Sequence, residues 1–361
     1  MDLENLLRED FDKIEQYLPR EQPFDAGWLK LNVNENPYPP PRVILDEIKM
    51  AINEKLRLYP EPTGKDLRKM ISSVLLVDKK TLTNPNNIFI DNGADGVLEN
   101  IMKTFINPGD QIIYFYPTYG FYKTLSLIYK AKKKEIKLND DFSIPESAYS
   151  LKGKLIFINS PNNPNGKAFS NDVILKICKY FPGIVVIDET YGDFCQTTAL
   201  PLLKEFKNLI IVRTFSNSFS LASMRIGYAV ANDKIIKAMN KVRLPYNVSY
   251  LGQIAAISCI KHRDLVFKQN HKIISERKRL SETLSKYNGI SVEPSDANFI
   301  FVKFSDKSIC LKFIWDLKEK KVLVRHISQP GLYQYMRITI NTPDNNNKFL
   351  DIFNELSKKY L

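Results

Sequence analysis

The sequence predicts an α/β protein: a large domain built on a mostly parallel sheet, with a smaller α+β domain beside it. Between residues 88 and 230, short β-rich runs alternate with helical stretches, the order that a parallel sheet covered by helices requires. Beyond residue 251 the pattern changes to a long helical stretch followed by strands and helices in mixed order. The 361 residues also exceed what one small core holds, so a large unit plus a smaller one is expected.

The strand candidates of the large unit are IFI at 88–90, QIIYF at 111–115, KLIFIN at 154–159, IVVID at 184–188, LIIVR at 209–213 and IGYAV at 226–230. Helices are predicted to begin near Asp95, Tyr119, Asn171 and Asp233, and Asn107-Pro108-Gly109-Asp110 is a loop before a strand. Ahead of the sheet, residues 41–56 and 65–75 carry apolar residues at helical spacing on either side of the Pro62-Thr63-Gly64 turn. After it come a helical stretch from about Leu251 to Tyr287, the strand NFIFVKF at 298–304, a helix at 309–319, strands near Val322 and Met336, and a last helix from about Pro343. The expected division is an amino-terminal arm, 1–35, joining the small domain, a large ligand-binding domain over 36–247 and a small domain over 248–361. A cleft between the two domains is expected.

Composition narrows the function classes. Lys and Arg exceed the acids by 12, but the lysines are scattered, the longest run being Lys132, Lys133 and Lys134. With no zinc-finger spacing or basic-aromatic motif, this reads as a solvated basic surface rather than a nucleic-acid interface, and it suits a phosphate-bearing ligand. Cys178, Cys195, Cys259 and Cys310 lie far apart without a CxxC pair, so neither a disulfide framework nor a metal site is expected, and the setting is cytoplasmic. The acidic, amphipathic start MDLENLLREDFDKIEQYLPR is unlike a signal peptide, and no apolar run reaches the ~18 residues that span a bilayer, so no membrane partner is expected.

Ligands of open α/β sheets sit beyond the carboxyl ends of the strands, so the loops there carry the chemistry. Asp91-Asn92-Gly93-Ala94-Asp95 is a glycine turn opening a helix, either ordinary turn chemistry or a phosphate site made of free backbone N–H groups. Ser160-Pro161-Asn162-Asn163-Pro164-Asn165-Gly166 is a rigid turn that presents amides. IVVID ends on Asp188, followed by Glu189 and Tyr191; a carboxylate at the buried end of an apolar strand needs a cation, either a structural salt bridge or a protonated pyridine nitrogen. Thr214-Phe215-Ser216-Asn217-Ser218-Phe219-Ser220 with Arg225 is either a Ser/Thr-rich loop or a second phosphate cradle.

The order Asn34-Glu35-Asn36-Pro37, Tyr59-Pro60, PNNPNG, IDETY, SDANFIFV and MRITI runs through nearly the whole chain. In that order the segments resemble fold-type I pyridoxal-phosphate enzymes, most closely the histidinol-phosphate aminotransferases. The resemblance implies that Ala94, Asp95, Thr214, Ser216 and Arg225 hold the phosphate of pyridoxal 5'-phosphate, that Tyr119 stacks on its ring, that Asn163 and Tyr191 bind its hydroxyl, and that Asp188 pairs with its ring nitrogen. It further implies a homodimer in which Tyr59 reaches the partner's cofactor phosphate, and substrate contacts from Asn36, Tyr59 and Arg337, whose planar fork suits a carboxylate or phosphate. The expected substrates are histidinol phosphate with glutamate or 2-oxoglutarate. Decarboxylation of threonine or serine phosphate is an alternative on the same scaffold.

One position departs from the pattern. Where the family reads Ser-Lys-x-Phe, with the lysine in an internal aldimine, this chain reads Ser216-Asn217-Ser218-Phe219. Lys207 lies before the strand, Lys234 beyond the next one, and Arg225 keeps the family offset, so the alignment has not slipped. The lysine amine speeds substrate exchange and then moves the proton; an asparagine amide does neither, and loss of a general base alone removes about two to four powers of ten in rate. The cofactor is therefore expected to be non-covalent or held as an external aldimine. Three readings are open: a substitution made to trap an adduct in an ordinary aminotransferase, a natural member whose chemistry does not use the lysine, and a non-catalytic protein that binds the cofactor or a phosphorylated amine. Retention of the other motif residues favours a working pocket.

Overall fold

The computed structural model describes residues 6–8, 11–14, 21–23, 27–77 and 84–361. The arm contributes β1 (Leu29–Lys30), followed by α1 (Arg42–Met50) and α2 (Lys65–Met70). The central stretch holds β2 (Ile88–Asn92), α3 (Gly93–Phe105), β3 (Gln111–Tyr116), α4 (Phe121–Ile128), β4 (Lys132–Lys137), β5 (Leu155–Asn159) and α5 (Asn171–Tyr180). It continues through β6 (Ile184–Asp188), β7 (Leu209–Thr214), β8 (Ile226–Ala231), α6 (Asp233–Lys241) and α7 (Tyr250–Lys261). The remainder is α8 (Arg263–Leu284), β9 (Ile290–Glu293), β10 (Phe299–Phe304), α9 (Lys307–Glu319), β11 (Val322–Leu323), β12 (Arg325–His326), β13 (Tyr335–Thr339) and α10 (Pro343–Tyr360).

All six apolar runs expected between 88 and 230 are strands of one sheet, in the order β2-β8-β7-β6-β5-β3-β4. β8 runs antiparallel to both neighbours and the other pairs are parallel. Residues along β5 to β8 are buried almost without break, because helices cover both faces, and such strands read as continuous apolar runs rather than alternating ones. Successive residues serve opposite faces: Val185 and Ile187 pack with α1, α2, α5 and α7, whereas Val186 packs with α3, α4 and α6. Since β2, β3, β5, β6 and β7 point the same way, their carboxyl ends share one edge of the sheet.

The second core lies under an antiparallel sheet, β12-β13-β10-β9, where Phe299, Phe304, Phe313, Phe349 and Phe353 pack together with α8, α9 and α10. Side chains close the helix starts: Asp306 accepts from the Ser308 and Ile309 N–H groups, and Thr342 accepts from Asn345, with Pro343 in the first turn of α10. The arm joins this unit: β1 pairs with β11 in parallel, and Leu31 enters its core. The other arm residues, 1–5, 9–10, 15–20 and 24–26, lie outside the described ones.

Four helix expectations need correction, and β4 was not expected. Lys132, Lys133 and Lys134 are exposed, as on a solvated surface, and they open β4, the edge strand paired with β3. Only Ile136 of β4 is partly buried, so no alternation marks it, and its lysines guard an edge against further strand pairing. The helix expected over 41–56 ends at Met50, because Asn53 caps a separate short turn, Glu54–Arg57. The 65–75 helix changes at Ile71 to a wider π turn. The stretch 251–287 is two helices broken at His262, whose ring lies 2.9 Å from Glu47 Oε1. The first of them, α7, expected with the small unit, packs instead on α1 and α2, with Ala255, Ala256, Cys259 and Ile260 in the large core.

Candidate active site

The carboxyl edge of the large sheet and the small antiparallel sheet enclose a cavity of about 990 Å³. Ala94, Asp95 and Arg225 line one end, Asp188, Tyr119 and Tyr191 the middle, and Thr214, Ser216 and Asn217 the floor, with Asn163 and Arg337 opposite. The sequence reading named all of these. It also named Asn36 and Tyr59, which are not among the lining residues. Asn36 stands behind the floor, donating its amide to the Asn217 carbonyl at 2.9 Å. Tyr59 is 80% exposed and stacks on Tyr246 at a separate surface hollow.

At the first end, the start of α3 meets Arg225. The first N–H groups of a helix have no partner within it and carry the positive end of its dipole, which suits an anion. Arg225 Nη2 donates to Asp95 Oδ2 at 3.0 Å and Nη1 to Ser216 Oγ at 3.4 Å, while Thr214 Oγ1 lies 2.9 Å from Ser216 Oγ. The close approach needs glycines: a Cβ on Gly93 would run into the Arg225 guanidinium, and one on Gly227 into the Gly93 and Ala94 backbone. Tyr119 donates its hydroxyl to Asp95 Oδ1 at 2.9 Å, which sets its ring beside this end.

Asp188, at the end of β6, is 2% exposed. Its Oδ1 accepts from the Thr190 hydroxyl at 2.5 Å and the Thr190 N–H at 3.1 Å; its Oδ2 accepts from the Tyr122 hydroxyl at 2.7 Å. Burial pushes the carboxyl above the ordinary aspartate value, the Thr190 and Tyr122 hydrogen bonds pull it back, and the Asp95 charge raises it. Among the described residues its side-chain donors, Thr190 and Tyr122, are neutral, and none of these residues brings a cation to the carboxylate where it meets the cavity. The expected salt bridge belongs to the next residue. Glu189 Oε2 accepts from Arg213 Nη2 at 2.5 Å and Nε at 3.0 Å, and Arg213 Nη1 reaches Asp193 at 2.9 Å.

That buried cluster also holds the floor. Ser218 donates to Asp193 Oδ2 at 2.6 Å, the Ser216 N–H donates to Thr214 Oγ1 at 3.1 Å, and Asn36 holds the Asn217 carbonyl. Position 217 is thus presented to the cavity by bonds through its backbone and its neighbours. On the opposite wall, Arg337 is 7% exposed, donates from Nη1 to Asn163 Oδ1 at 2.6 Å and from Nη2 to the Asn32 carbonyl at 2.7 Å, and lies 5.1 Å from the Phe299 ring centre. The Tyr191 hydroxyl accepts from Asn34 at 2.9 Å and from Asn163 at 3.4 Å.

The sequence reading missed Tyr122, Thr190, Asn34, Arg325 and the Arg213 cluster. Tyr122 had a signal, since it follows Tyr119 by three residues on a helical face. Asn34 stands in the Asn34-Glu35-Asn36-Pro37 segment but was given no role there, and Arg325 had no signal, because it comes to the cavity through β12 pairing in the other unit.

The chain matches Aminotransferase class I and II over residues 26–353. It belongs to that aminotransferase family. A histidinol-phosphate aminotransferase of Geotalea uraniireducens is 36% identical over 354 residues, covering 97% of this chain and 99% of that one. Among solved structures, the histidinol-phosphate aminotransferase of Sinorhizobium meliloti in complex with pyridoxal-5'-phosphate matches with TM-score 0.81 at 21% identity, over 92% of each chain. The L-threonine-O-3-phosphate decarboxylase of Porphyromonas gingivalis matches with TM-score 0.79 at 24% identity, over 91% of this chain and 99% of that one. The likeness to these solved structures is one of fold and extends over about nine-tenths of this chain.

Proposed function

We propose that this aminotransferase-family chain binds pyridoxal phosphate without a covalent anchor and takes a small phosphorylated amine, histidinol phosphate with glutamate or 2-oxoglutarate as the amino-group pair. The observation that carries it is Asp188: a buried carboxylate with neutral donors on its protein side, facing a cavity whose far end is an anion cradle. A ligand with a cationic ring nitrogen and a phosphate satisfies both ends at once. The residues present fit it, since Gly93 and Gly227 leave room for Arg225 and the α3 amides to close on a phosphate, with Ala94, Asp95, Thr214 and Ser216 around it.

Bound there, pyridoxal phosphate supplies an aldehyde for an amine and a ring that withdraws electrons. The chain's own residues do the rest. Asp188 would pair with the ring nitrogen, Tyr119 would cover the ring, Asn163 and Tyr191 would hold its hydroxyl, and Arg337 would grip the substrate's anionic group. Asn217 remains neutral across the working pH range, so it neither anchors the cofactor nor carries the proton, and turnover is slowed by several powers of ten. The Porphyromonas gingivalis fold match keeps decarboxylation of a phosphorylated amino acid as the second reading, separated by product: carbon dioxide rather than a keto acid. A binding role without turnover is the third.

The exposed Leu56, Leu58, Tyr59 and Tyr246 line one surface hollow suited to a second copy, in which Tyr59 would reach the partner's phosphate site. Free cysteines suit a reducing, cytoplasmic setting. Among the described residues no helix is long and apolar enough to cross a membrane.

The test is an absorbance titration with pyridoxal phosphate on this chain and on Asn217→Lys, followed by borohydride and intact mass, with light scattering for the homodimer. The original chain is expected to bind reversibly and gain no mass; the lysine variant is expected to gain the reduced cofactor and to turn over histidinol phosphate with 2-oxoglutarate. Absence of binding by both chains would overturn the reading. A lysine variant that binds covalently yet releases carbon dioxide from threonine phosphate would favour the decarboxylase.

A further inference from the structure

Tyr122 has no exposed surface and its ring is boxed in. It stacks face to face on Phe157 with centres 4.6 Å apart and planes 3° from parallel, and it meets the Tyr119 ring edge-on at 5.7 Å. A phenylalanine would fill the same space. The hydroxyl is what needs explaining, because burying one without a partner is costly. Its partner is Asp188 Oδ2, at 2.7 Å.

A carboxylate offers about four acceptor positions. Thr190 supplies two donors to Oδ1 and Tyr122 one to Oδ2, so one position on Oδ2 remains on a residue that lines the cavity. A ring nitrogen meeting that position shares a proton with the carboxylate, and each donor on the carboxylate's protein side moves the proton toward the nitrogen. We propose that Tyr122 is a positioning residue that aims Asp188 into the cavity and keeps the shared proton on the bound ring nitrogen. This rests on the reading of the ligand as pyridoxal phosphate.

The surroundings agree. Burial and the Asp188 charge hold the Tyr122 phenol well above its usual range, so it is a donor at every working pH. The groups that face Asp188 are Asp95 from α3, whose charge opposes ionisation, and the neutral Thr190. The Tyr119 and Tyr191 phenols stand close to Tyr122 itself. Tyr122 and Thr190 are the donors that offset burial. The arrangement also links the two ends of the site, since the Tyr119 hydroxyl bonds Asp95 while its ring rests against Tyr122.

The experiment is nitrogen-15 NMR of ring-labelled pyridoxal phosphate bound to the whole chain at neutral pH, with Tyr122→Phe and with 3-fluorotyrosine placed at position 122 alone. The parent is expected to show a protonated ring nitrogen. In Tyr122→Phe the preference for that form should fall about tenfold, the effect of one hydrogen bond to an ionised group, moving the resonance toward the unprotonated position. Fluorotyrosine, a stronger donor of nearly the same shape, should hold the protonated position, and it decides the matter if the phenylalanine variant does not fold. Unchanged resonances in Tyr122→Phe, or a shift toward the unprotonated position with fluorotyrosine, overturn the role of Tyr122 while leaving the cofactor in place. A bound but unprotonated nitrogen in the parent overturns it too. If the parent binds no pyridoxal phosphate, the proposed function fails first and this inference with it.

Discussion

Asp188 and Glu189 are neighbours in sequence, 2% and 3% exposed, and both carry a carboxyl at the end of β6. Glu189 turns to the protein side, where Arg213 binds it through two nitrogens and the Thr198 hydroxyl and Ala199 N–H fill its remaining positions. Asp188 lines the cavity and, among the described residues, receives only neutral donors. A buried charge that is already paired is spent on structure, whereas one left facing a cavity is held for a ligand. The comparison explains why the sequence, read alone, left Asp188 between a salt bridge and a ring nitrogen: the bridge exists, one residue further on.

Three substitutions sharpen the contrast. Glu189→Gln leaves Arg213 buried with half its partner charge gone, which should cost about 3 kcal/mol. Thermal unfolding should show a Tm lower by roughly 4 °C; an unchanged Tm would remove the distinction drawn between the two carboxylates. Asp188→Asn should do the reverse, weakening pyridoxal phosphate binding by about tenfold or more in a fluorescence titration while sparing the fold. Its pH dependence follows from the raised Asp188 value. A carboxyl that is harder to ionise when folded contributes stability that is fully present below the unfolded aspartate value, near 3.9, and is lost as pH rises through the folded value. In the ligand-free protein Asp188→Asn should therefore abolish that loss and match or exceed the parent's Tm at pH 7. Smallest is Ser218→Ala, which deletes one donor to Asp193 and should cost about 1 kcal/mol in urea unfolding, with cofactor affinity changed less than by Asp188→Asn.

The large sheet was legible because its central strands are buried on both faces and so appear as unbroken apolar runs. β4 was not, since a charged edge strand owes its existence to pairing with β3 and leaves no apolar period of its own. The break at His262 was hidden because both helices keep helical spacing across it; a contact with Glu47, more than two hundred residues away, marks the junction. The cavity was legible wherever a lining residue follows a strand of the large sheet, as Asp95, Asn163, Asp188 and Ser216 do. It was illegible at Arg325, which reaches the wall through β12 with no motif around it, and at Tyr122, which lies beneath the lining; Arg337, on β13 of the same unit, was legible only through the MRITI segment. Asn36 and Tyr59, expected at the site, do not line the cavity of the chain itself.

The turn that displays position 217 is held by Asn36, Thr214 and Ser218 and not by the side chain at 217 itself. In the genetic code asparagine and lysine differ only in the third base of the codon. A frame that does not depend on the residue it presents can therefore pass between the two states by one nucleotide change without rebuilding anything. A library of single-base variants placed under selection for amino-group transfer would have a short path open to it, and position 217 is where that path would start.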